Sequence, residues 1–350
     1  MKSTGIANVT QADEFDEIID VRSPAEFAED HVPGAVNCPV LSNEERAHVG
    51  TLYKQESPFA AKKIGAALVA RHIAEHIETR FLDKPRTWKP LVYCWRGGKR
   101  SGAMAHVLRQ IGWPASTLEG GYKSYRRHVL AKLAELPRHF AYRVVTGATG
   151  SGKSRLLEAL AAQGAQVLDL EALAAHKGSV LGGLPDEAQP SQKMFESRLL
   201  AVLQRLTFDQ PAYVEAESRK IGALQVPDAL LESMRASPCL RIEASDAARV
   251  AFLIGDYDYF LTDPTSLKAK LDCLHELQSG ETLSRWNELI DARDWPALVG
   301  ELLALHYDPL YRRSQGRNYV RFAEAPRFEA SDLSPTGLEK LARKILSTSA

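Results

Sequence analysis

Cysteine is scarce in this chain: four residues in 350, at positions 38, 94, 239 and 273. None pairs in a Cys-x-x-Cys unit, and the spacing excludes both a zinc ribbon and a disulfide framework. Any apolar run of 18 residues is also lacking, so no membrane-spanning helix is expected. The opening residues show no basic-then-apolar leader, which with the sparse cysteines predicts a soluble protein of the reducing cytoplasm. Net charge is missing as well, because 44 Lys and Arg balance 44 Asp and Glu. A polyanionic partner must therefore be met by local patches rather than by a bulk field. No internal repeat and no low-complexity tract is visible, which excludes a solenoid. What remains is 45% apolar content over 350 residues, enough for two ordinary cores. The expectation is two α/β domains, residues 1–136 and 137–350.

The scarcity makes the setting of Cys94 informative. In "VYCWRGGKRSGAMA" (92–105) the cysteine ends a short apolar run, and two glycines and three cations follow. The pattern predicts a strand at Leu91–Tyr93, a loop, and an amphipathic helix opening near Ser101 with Ala103, Val107, Leu108 and Ile111 on its buried face. A strand-to-helix loop offers unpaired backbone N–H groups and the positive end of the helix dipole. Gly97 and Gly98 can take dihedrals closed to other residues, so the loop can curl its amides around the sulfur. Arg96, Lys99 and Arg100, with Ser101, add anion ligands, and all these terms favour thiolate over thiol at Cys94. Cys38, Cys239 and Cys273 have no such neighbours and are expected to be structural. Upstream, "DEIIDVRSPAEFAEDHVPGAVNCPV" (16–40) predicts a strand at Ile18–Val21 and a helix opening on the capping box Ser23-Pro24-Ala25-Glu26. A turn at His31–Gly34 and a second short strand follow. Residues 59–82 are expected to be helical.

These stretches, over residues 8–130, resemble a rhodanese domain. In that family the loop cysteine carries sulfur or selenium as a persulfide-type adduct. The loop departs from the common Cys-x4-Arg-Ser spacing, since five residues separate Cys94 from Arg100. The wider loop suits a larger anion than thiosulfate. It is also similar to the loop of cysteine phosphatases, but those have His where Tyr93 stands, so chalcogen transfer is preferred to phosphate-ester hydrolysis.

The second motif lies beyond Pro137. "RVVTGATGSGKSRLLEALAAQG" (143–164) contains Gly147-x4-Gly152-Lys153-Ser154, a full P-loop between a strand and a helix. Gly147, Gly150, Ser151, Gly152, Lys153 and Ser154 are the candidate diphosphate ligands. In such a loop the backbone N–H groups wrap the diphosphate, the lysine neutralises it and the serine hydroxyl reaches Mg²⁺. Leu156, Leu157, Leu160 and Ala161 should face the core. Asp169 with Glu171, and Glu215 with Glu217, are candidate Mg²⁺ or polar-site residues, though either pair could equally cap a helix. Which metal, if any, binds is left open by the sequence. Nothing resembles a base-recognition motif, so the diphosphate need not belong to a nucleotide.

The whole chain resembles the tRNA 2-selenouridine synthase family, in which a rhodanese domain precedes a P-loop domain. The likeness extends to "NEERAHVGTLYKQ" (43–55), "LEGGYKSYRR" (118–127), "AHKGSVLGG" (175–183), "QPSQKMFES" (189–197) and "VEAESRKIG" (214–222). It implies an α/β protein with an N-terminal rhodanese-like domain and a C-terminal P-loop NTPase-like three-layer domain with helical additions. It further implies a transferase acting on the wobble 2-thiouridine of tRNA. The thio group is alkylated with geranyl diphosphate, and selenophosphate then supplies selenium that displaces the geranylthio group. Cys94 is then catalytic and the P-loop grips geranyl diphosphate. No tightly bound cofactor is implied; the co-substrates are selenophosphate and geranyl diphosphate, with Mg²⁺ a candidate. The partners are the anticodon region of tRNA and a selenophosphate-supplying synthetase, with no membrane and no DNA. The alternative is a P-loop kinase or NTPase with a rhodanese sulfurtransferase relay.

For RNA, two arginine patches stand out: "YKSYRRHV" (122–129), with Arg126 and Arg127, and "HYDPLYRRSQGRNYVRF" (306–322), with Arg312, Arg313 and Arg317 among tyrosines. Arginines reach phosphates and exposed aromatics stack on unpaired bases. Either patch could instead be a solvated charged face over buried tyrosines. The apolar spacing of "DAARVAFLIGDYDYF" and of residues 283–311 predicts packing helices rather than a cofactor box.

Overall fold

A computed structural model describes residues 5–349, except for the side chains of residues 314–317 and 349. The chain divides into two compact units, one of residues 1–132 with 196–200 and one of residues 133–195 with 201–350.

In the first unit the strands are β1 (Ile6–Ala7), β2 (Glu17–Asp20), β3 (Val36–Asn37), β4 (Pro90–Tyr93) and β5 (Ser116–Leu118). They form one parallel sheet in the order β1-β5-β4-β2-β3. The helices are α1 (Pro24–Glu29), α2 (Asn43–Gln55), α3 (Pro58–His76), α4 (Lys99–Ile111) and α5 (Gly121–Glu135). Helix α1 opens on the expected capping box, with Ser23 and Glu26 reciprocally bonded. The helical stretch 59–82 is two pieces, because α3 passes into a π-turn at Ile77–Phe81 that turns Phe81 into the core. Helix α4 opens at Lys99, two residues earlier than expected. Its most buried side chains are Ser101, Met104, Ala105 and Leu108; Ala103 and Val107 pack, partly buried, against the same core as expected, while Ile111 is exposed. The helix is thus rotated so that Met104, the larger side chain, fills the space beside Ile73, Val92 and Trp113.

The second unit contains β6 (Tyr142–Gly147), α6 (Lys153–Ala162), β7 (Gln166–Leu168), α7 (Leu170–Ala174), α8 (Gln192–Leu203) and β8 (Ala212–Glu215). A two-stranded ribbon follows, β9 (Lys220–Ile221) with β10 (Leu224–Gln225), then α9 (Asp228–Ala236) and β11 (Cys239–Glu243). Next come α10 (Asp246–Asp256), α11 (Asp258–Thr262), α12 (Pro264–Asp272), α13 (Gly280–Asp291), α14 (Trp295–Leu302), α15 (Asp308–Asn318), β12 (Arg327–Glu329) and α16 (Pro335–Ser349). The main sheet is parallel in the order β12-β11-β6-β8-β7. Leu156, Leu157 and Leu160 of α6 enter a core with Val145, Ile242, Phe328 and, from α16, Leu341 and Ile345. Ala161 is exposed. The helical additions carry their own core, centred on Trp286 with Phe260, Leu267, Leu289, Leu298 and Leu302, so the apolar spacing there does mark packing helices. In a parallel sheet, loops at the carboxyl ends of the strands form the binding crevice. Both glycine-rich loops lie at such an end.

Candidate functional site

The Cys94 loop starts at the end of β4, the central strand of its sheet. A buried ion pair fixes the neighbourhood. Arg22 is 1% exposed and donates through Nε and Nη2 to both carboxylate oxygens of Asp20, at 2.6 to 3.0 Å, and through Nη2 to Asp30 O at 2.7 Å. Its guanidinium lies 3.9 Å from the ring centroid of Tyr122, whose hydroxyl donates to Asp30 at 2.7 Å. Tyr93 accepts the Val32 amide on its hydroxyl at 3.1 Å, tying the residue before the cysteine to the opposite turn. The Asp-Val-Arg of the sequence is therefore a scaffold for the loop.

Gly97 and Gly98 have φ of +73° and +70°, and an added Cβ at either would meet nothing within 4 Å. What they supply is the left-handed turn, not room. Gly98 is the N-cap of α4 and no side chain caps the first turn, leaving those N–H groups for an anion. Cys94 is only 2% exposed, and its Sγ accepts from Ser101 Oγ at 3.3 Å. Trp95, Arg96 and Lys99 are exposed, so the two cations face solvent at the rim. Arg100 is engaged elsewhere, donating to Glu26 at 3.0 Å beside Arg46 at 3.2 Å. Burial alone would raise the Glu26 carboxyl, but bonding to Arg100 and the nearby charges win and hold it down at about 2. Gly121 is a further necessity that the sequence does not reveal. A Cβ there would sit 2.4 Å from Cys94 O, and the next two amides, Tyr122 and Lys123, donate to the Cys94 and Trp95 carbonyls at 2.8 and 3.1 Å. The loop opens into a groove of about 1400 Å³ between α2, α3 and α4, with Val49, Val69 and Ile73 on its wall and Arg46, Lys54 and Lys62 at its edge. No Asp or Glu is among its described lining residues.

Among the other cysteines, Cys38 and Cys239 are buried and their thiols are pushed up to about 11 by burial. Cys273 is exposed at the end of α12, so packing does not explain it. Arg127 is exposed, whereas Arg126 is 13% exposed and lies 3.9 Å from Asp30.

In the second unit Gly150 and Gly152 have φ of +81° and +75°, and Gly152 is the uncapped N-cap of α6. Lys153 Nζ donates to Gly147 O at 3.0 Å, spanning the loop. Helix α10 props the loop from outside. Arg249, 4% exposed, donates from Nε to Thr149 O at 2.8 Å and from Nη1 to Asp308 at 3.1 Å. Its signal in the sequence was a lone arginine among the apolar residues of "DAARVAFL".

The four acids come from the ends of β8, the strand beside β6, and of β7, the edge strand beyond it. Asp169 caps α7 by accepting the Ala172 amide at 2.8 Å, and Glu215 accepts the Glu171 amide at 2.8 Å. These two serve backbone roles. Glu171 accepts from Ser154 Oγ at 2.6 Å, and the left-handed Gly178 lets the chain pass close to both Glu171 and Glu217. Burial pushes Asp169 and Glu215 above the usual carboxylate range, with the neighbouring acids adding to it. Glu217 is pushed up to about 8 by burial and by Glu171, against the pull of Lys153. Among the described residues no three His, Cys, Asp or Glu converge as a metal site. Ser154 and Glu171 are hard oxygen donors that fit Mg²⁺, a cation usually held by one or two protein oxygens plus substrate phosphates. The surrounding cleft measures about 550 Å³.

Arg312 and Arg313 are exposed on α15, and the Arg317 side chain lies outside the described residues. Of the tyrosines flanking them, Tyr307 and Tyr311 are half-buried, and Tyr319 is 3% exposed and donates to Glu217 O at 3.0 Å. Among the described residues no helix is long and apolar enough to cross a membrane.

Comparison with known proteins matches both units. The family profile described as the tRNA 2-selenouridine synthase AAA domain covers residues 140–328, and that of the rhodanese-like domain covers residues 6–128. Three curated relatives are each named tRNA 2-selenouridine synthase. The one from Marinobacter nauticus is 37% identical over 87% of this chain and 90% of its own length. The one from Bdellovibrio bacteriovorus is 31% identical over 89% and 93%. The one from Nitrosomonas europaea is 39% identical over 71% of this chain, a match that spans 64% of that relative's length.

Proposed function

The chain belongs to the tRNA 2-selenouridine synthase family, and from that premise we propose that it replaces the sulfur of wobble 2-thiouridine in tRNA with selenium through an S-geranyl intermediate. The observation that carries this reading is the presence of two glycine-built anion cradles in one chain, one ending a strand with Cys94 and one opening a helix with Lys153. Two cradles suit a reaction that handles two anions, geranyl diphosphate and selenophosphate.

A thiocarbonyl sulfur departs poorly, and alkylation converts it into a leaving group. In the first step the thiouridine sulfur attacks C1 of geranyl diphosphate; the S–C bond forms, the C–O bond breaks, inorganic diphosphate leaves and the base loses its N3 proton. The backbone of residues 147–152 and Lys153 stabilise the departing diphosphate. Ser154 and Glu171 are the residues that would hold Mg²⁺, which when bound would neutralise phosphate charge. In the second step selenophosphate and water provide the selenide and leave phosphate. Selenium bonds to C2, the C2–S bond breaks and geranylthiol leaves. The amides of the Cys94 loop, with Arg96 and Lys99 at its rim, bind selenophosphate. Exposed Trp95 offers the base a stacking face, and Arg127, Arg312 and Arg313 are the exposed arginines available to tRNA phosphates.

The test is nucleoside mass spectrometry on 2-thiolated tRNA incubated with the protein. Geranyl diphosphate alone should give S-geranyl-2-thiouridine, and adding selenophosphate should give 2-selenouridine. Selenation that proceeds equally well without any prenyl donor would overturn the reading.

A further inference from the structure

The P-loop cleft has a side chamber. It is a slot of about 60 Å³ walled by Leu181, Ile254, Phe260, Trp295, Leu298 and Val299. Thr149, Ser179, Leu253 and Tyr257 line both the slot and the cleft, so they form a doorway between them. The two chambers differ in chemistry. The cleft holds Lys153, Ser154 and the carboxylates, whereas the slot wall is aliphatic and aromatic, with polarity confined to the mouth. Lys177 also stands at the mouth, 4.3 Å from the Tyr257 ring centroid and 2.7 Å from Asp256 Oδ2.

We propose that this slot is the isoprenoid subsite of the P-loop, taking the distal isoprene unit of a prenyl diphosphate whose diphosphate sits on residues 147–153. The proposal rests on the reading of the P-loop as a prenyl-diphosphate site and adds what determines chain length. A nucleoside carries hydroxyl groups and ring nitrogens that need partners, and a wall of Leu, Ile, Phe and Trp leaves those unpaired. A hydrocarbon needs only burial, and each buried methylene contributes about 0.8 kcal/mol. The size of the slot sets the length. It has room for about one five-carbon unit, given that one water-sized sphere takes up about 10–15 Å³ on this measure. A ten-carbon chain then places its proximal unit in the cleft and its distal unit in the slot. A five-carbon chain stops at the doorway, and a fifteen-carbon chain has no room for its last unit. The slot belongs to the helical additions, whose core runs through Leu181, Phe260, Leu267, Leu298 and Leu302. This gives α10, α11, α12 and α14 a purpose beyond packing.

The experiment measures binding to the full chain, with Mg²⁺ present, of four probes: inorganic pyrophosphate and dimethylallyl, geranyl and farnesyl diphosphates. Geranyl diphosphate should bind at least about 100-fold more tightly than pyrophosphate and at least about 10-fold more tightly than either other prenyl probe. Val299→Phe, at a partly buried position in the slot wall, should shrink the geranyl advantage about 10-fold or more and leave pyrophosphate affinity within twofold. The slot assignment is overturned if Val299→Phe changes no prenyl-to-pyrophosphate ratio. If that variant does not fold, the wild-type series decides: equal affinity for geranyl diphosphate and pyrophosphate overturns the slot. Lys153→Ala separates the two levels. Geranyl diphosphate binding that is indifferent to Lys153 sinks the P-loop reading itself, whereas Lys153-dependent binding without chain-length preference sinks the slot alone.

Discussion

At Cys94 and at Lys153 a central parallel strand runs into a loop with two left-handed glycines, and the next helix has glycine at its N-cap without a side-chain cap. The backbone solution is the same, a row of free amides aimed at an anion. The surroundings are opposite. The groove at Cys94 is edged by lysines and arginines with no acid among its described lining residues, and the acid nearby, Glu26, is paired with Arg100 and Arg46. The P-loop cleft is ringed by acids: Asp169 is spent on a backbone amide, Glu171 and Glu217 crowd together, and Asp256 is paired with Lys177. A cradle edged by cations can receive a bare anion. One ringed by acids needs a cation brought with the ligand, which fits a diphosphate carried with Mg²⁺ and does not fit selenophosphate alone. The same fold device thus stands in opposite electrostatic surroundings, which is what the proposed division between two anions requires.

The comparison breaks first at the reactive residues. Cys94→Ala should cut selenation by more than about 10³-fold, as loss of a reactive nucleophile does, with geranylation retained. Lys153→Ala should cut geranylation by about 10²- to 10³-fold, as loss of one electrostatic donor does. Quantifying S-geranyl and seleno nucleosides separately checks both, and a variant that lowers both steps equally would erase the assigned division.

The acids sharpen it through pH. Glu26 titrates at about 2 in the fold against 4.5 as its reference, so its stabilising contribution is full above about pH 4.5 and is lost as pH falls toward 2. Glu26→Gln should therefore lower stability at pH 7 by at most about 3 kcal/mol, with the gap to wild type closing in acid. Glu217 has the opposite sign. Its folded value of about 8 lies above the 4.5 reference, so the folded state binds the extra proton and stability falls as pH rises from about 4.5 to 8. Glu217→Gln should raise Tm at pH 8 and leave it unchanged near pH 4. Thermal melts of both variants across pH settle the signs.

The smallest effects distinguish two uses of glycine around Cys94. Gly98→Ala meets open space and should cost about 1 kcal/mol for the left-handed backbone alone. Gly121→Ala adds a collision with Cys94 O at 2.4 Å and should cost about 2–3 kcal/mol. Denaturant unfolding of the two variants measures the difference, and equal losses would mean that the Gly121 contact relaxes freely.

What could be read in the sequence was what is local. Both glycine loops, their flanking strands and the capping box at Ser23 follow from residues within a few positions of one another, and each forms in the structure. The limits appear where distant segments meet. Arg100 looked like an anion ligand because the loop sequence cannot show Glu26, 74 positions away, waiting for it. Arg249 on the P-loop and Gly121 beneath Cys94 depend on helices folding back over loops. The tyrosines near Arg312 could be read either as a stacking surface or as buried under a charged face, and burial of Tyr319 follows the second reading. Even the rotation of α4 was decided by the space beside β4 and not by the spacing of its apolar residues.

Cys94 is almost sealed from water although the helix after it begins at the surface. So enclosed a sulfur is kept from collision with bulky free thiols. Whatever reaches it must be flat and slender enough to enter the loop, a description that a single splayed nucleobase meets and a tripeptide thiol does not.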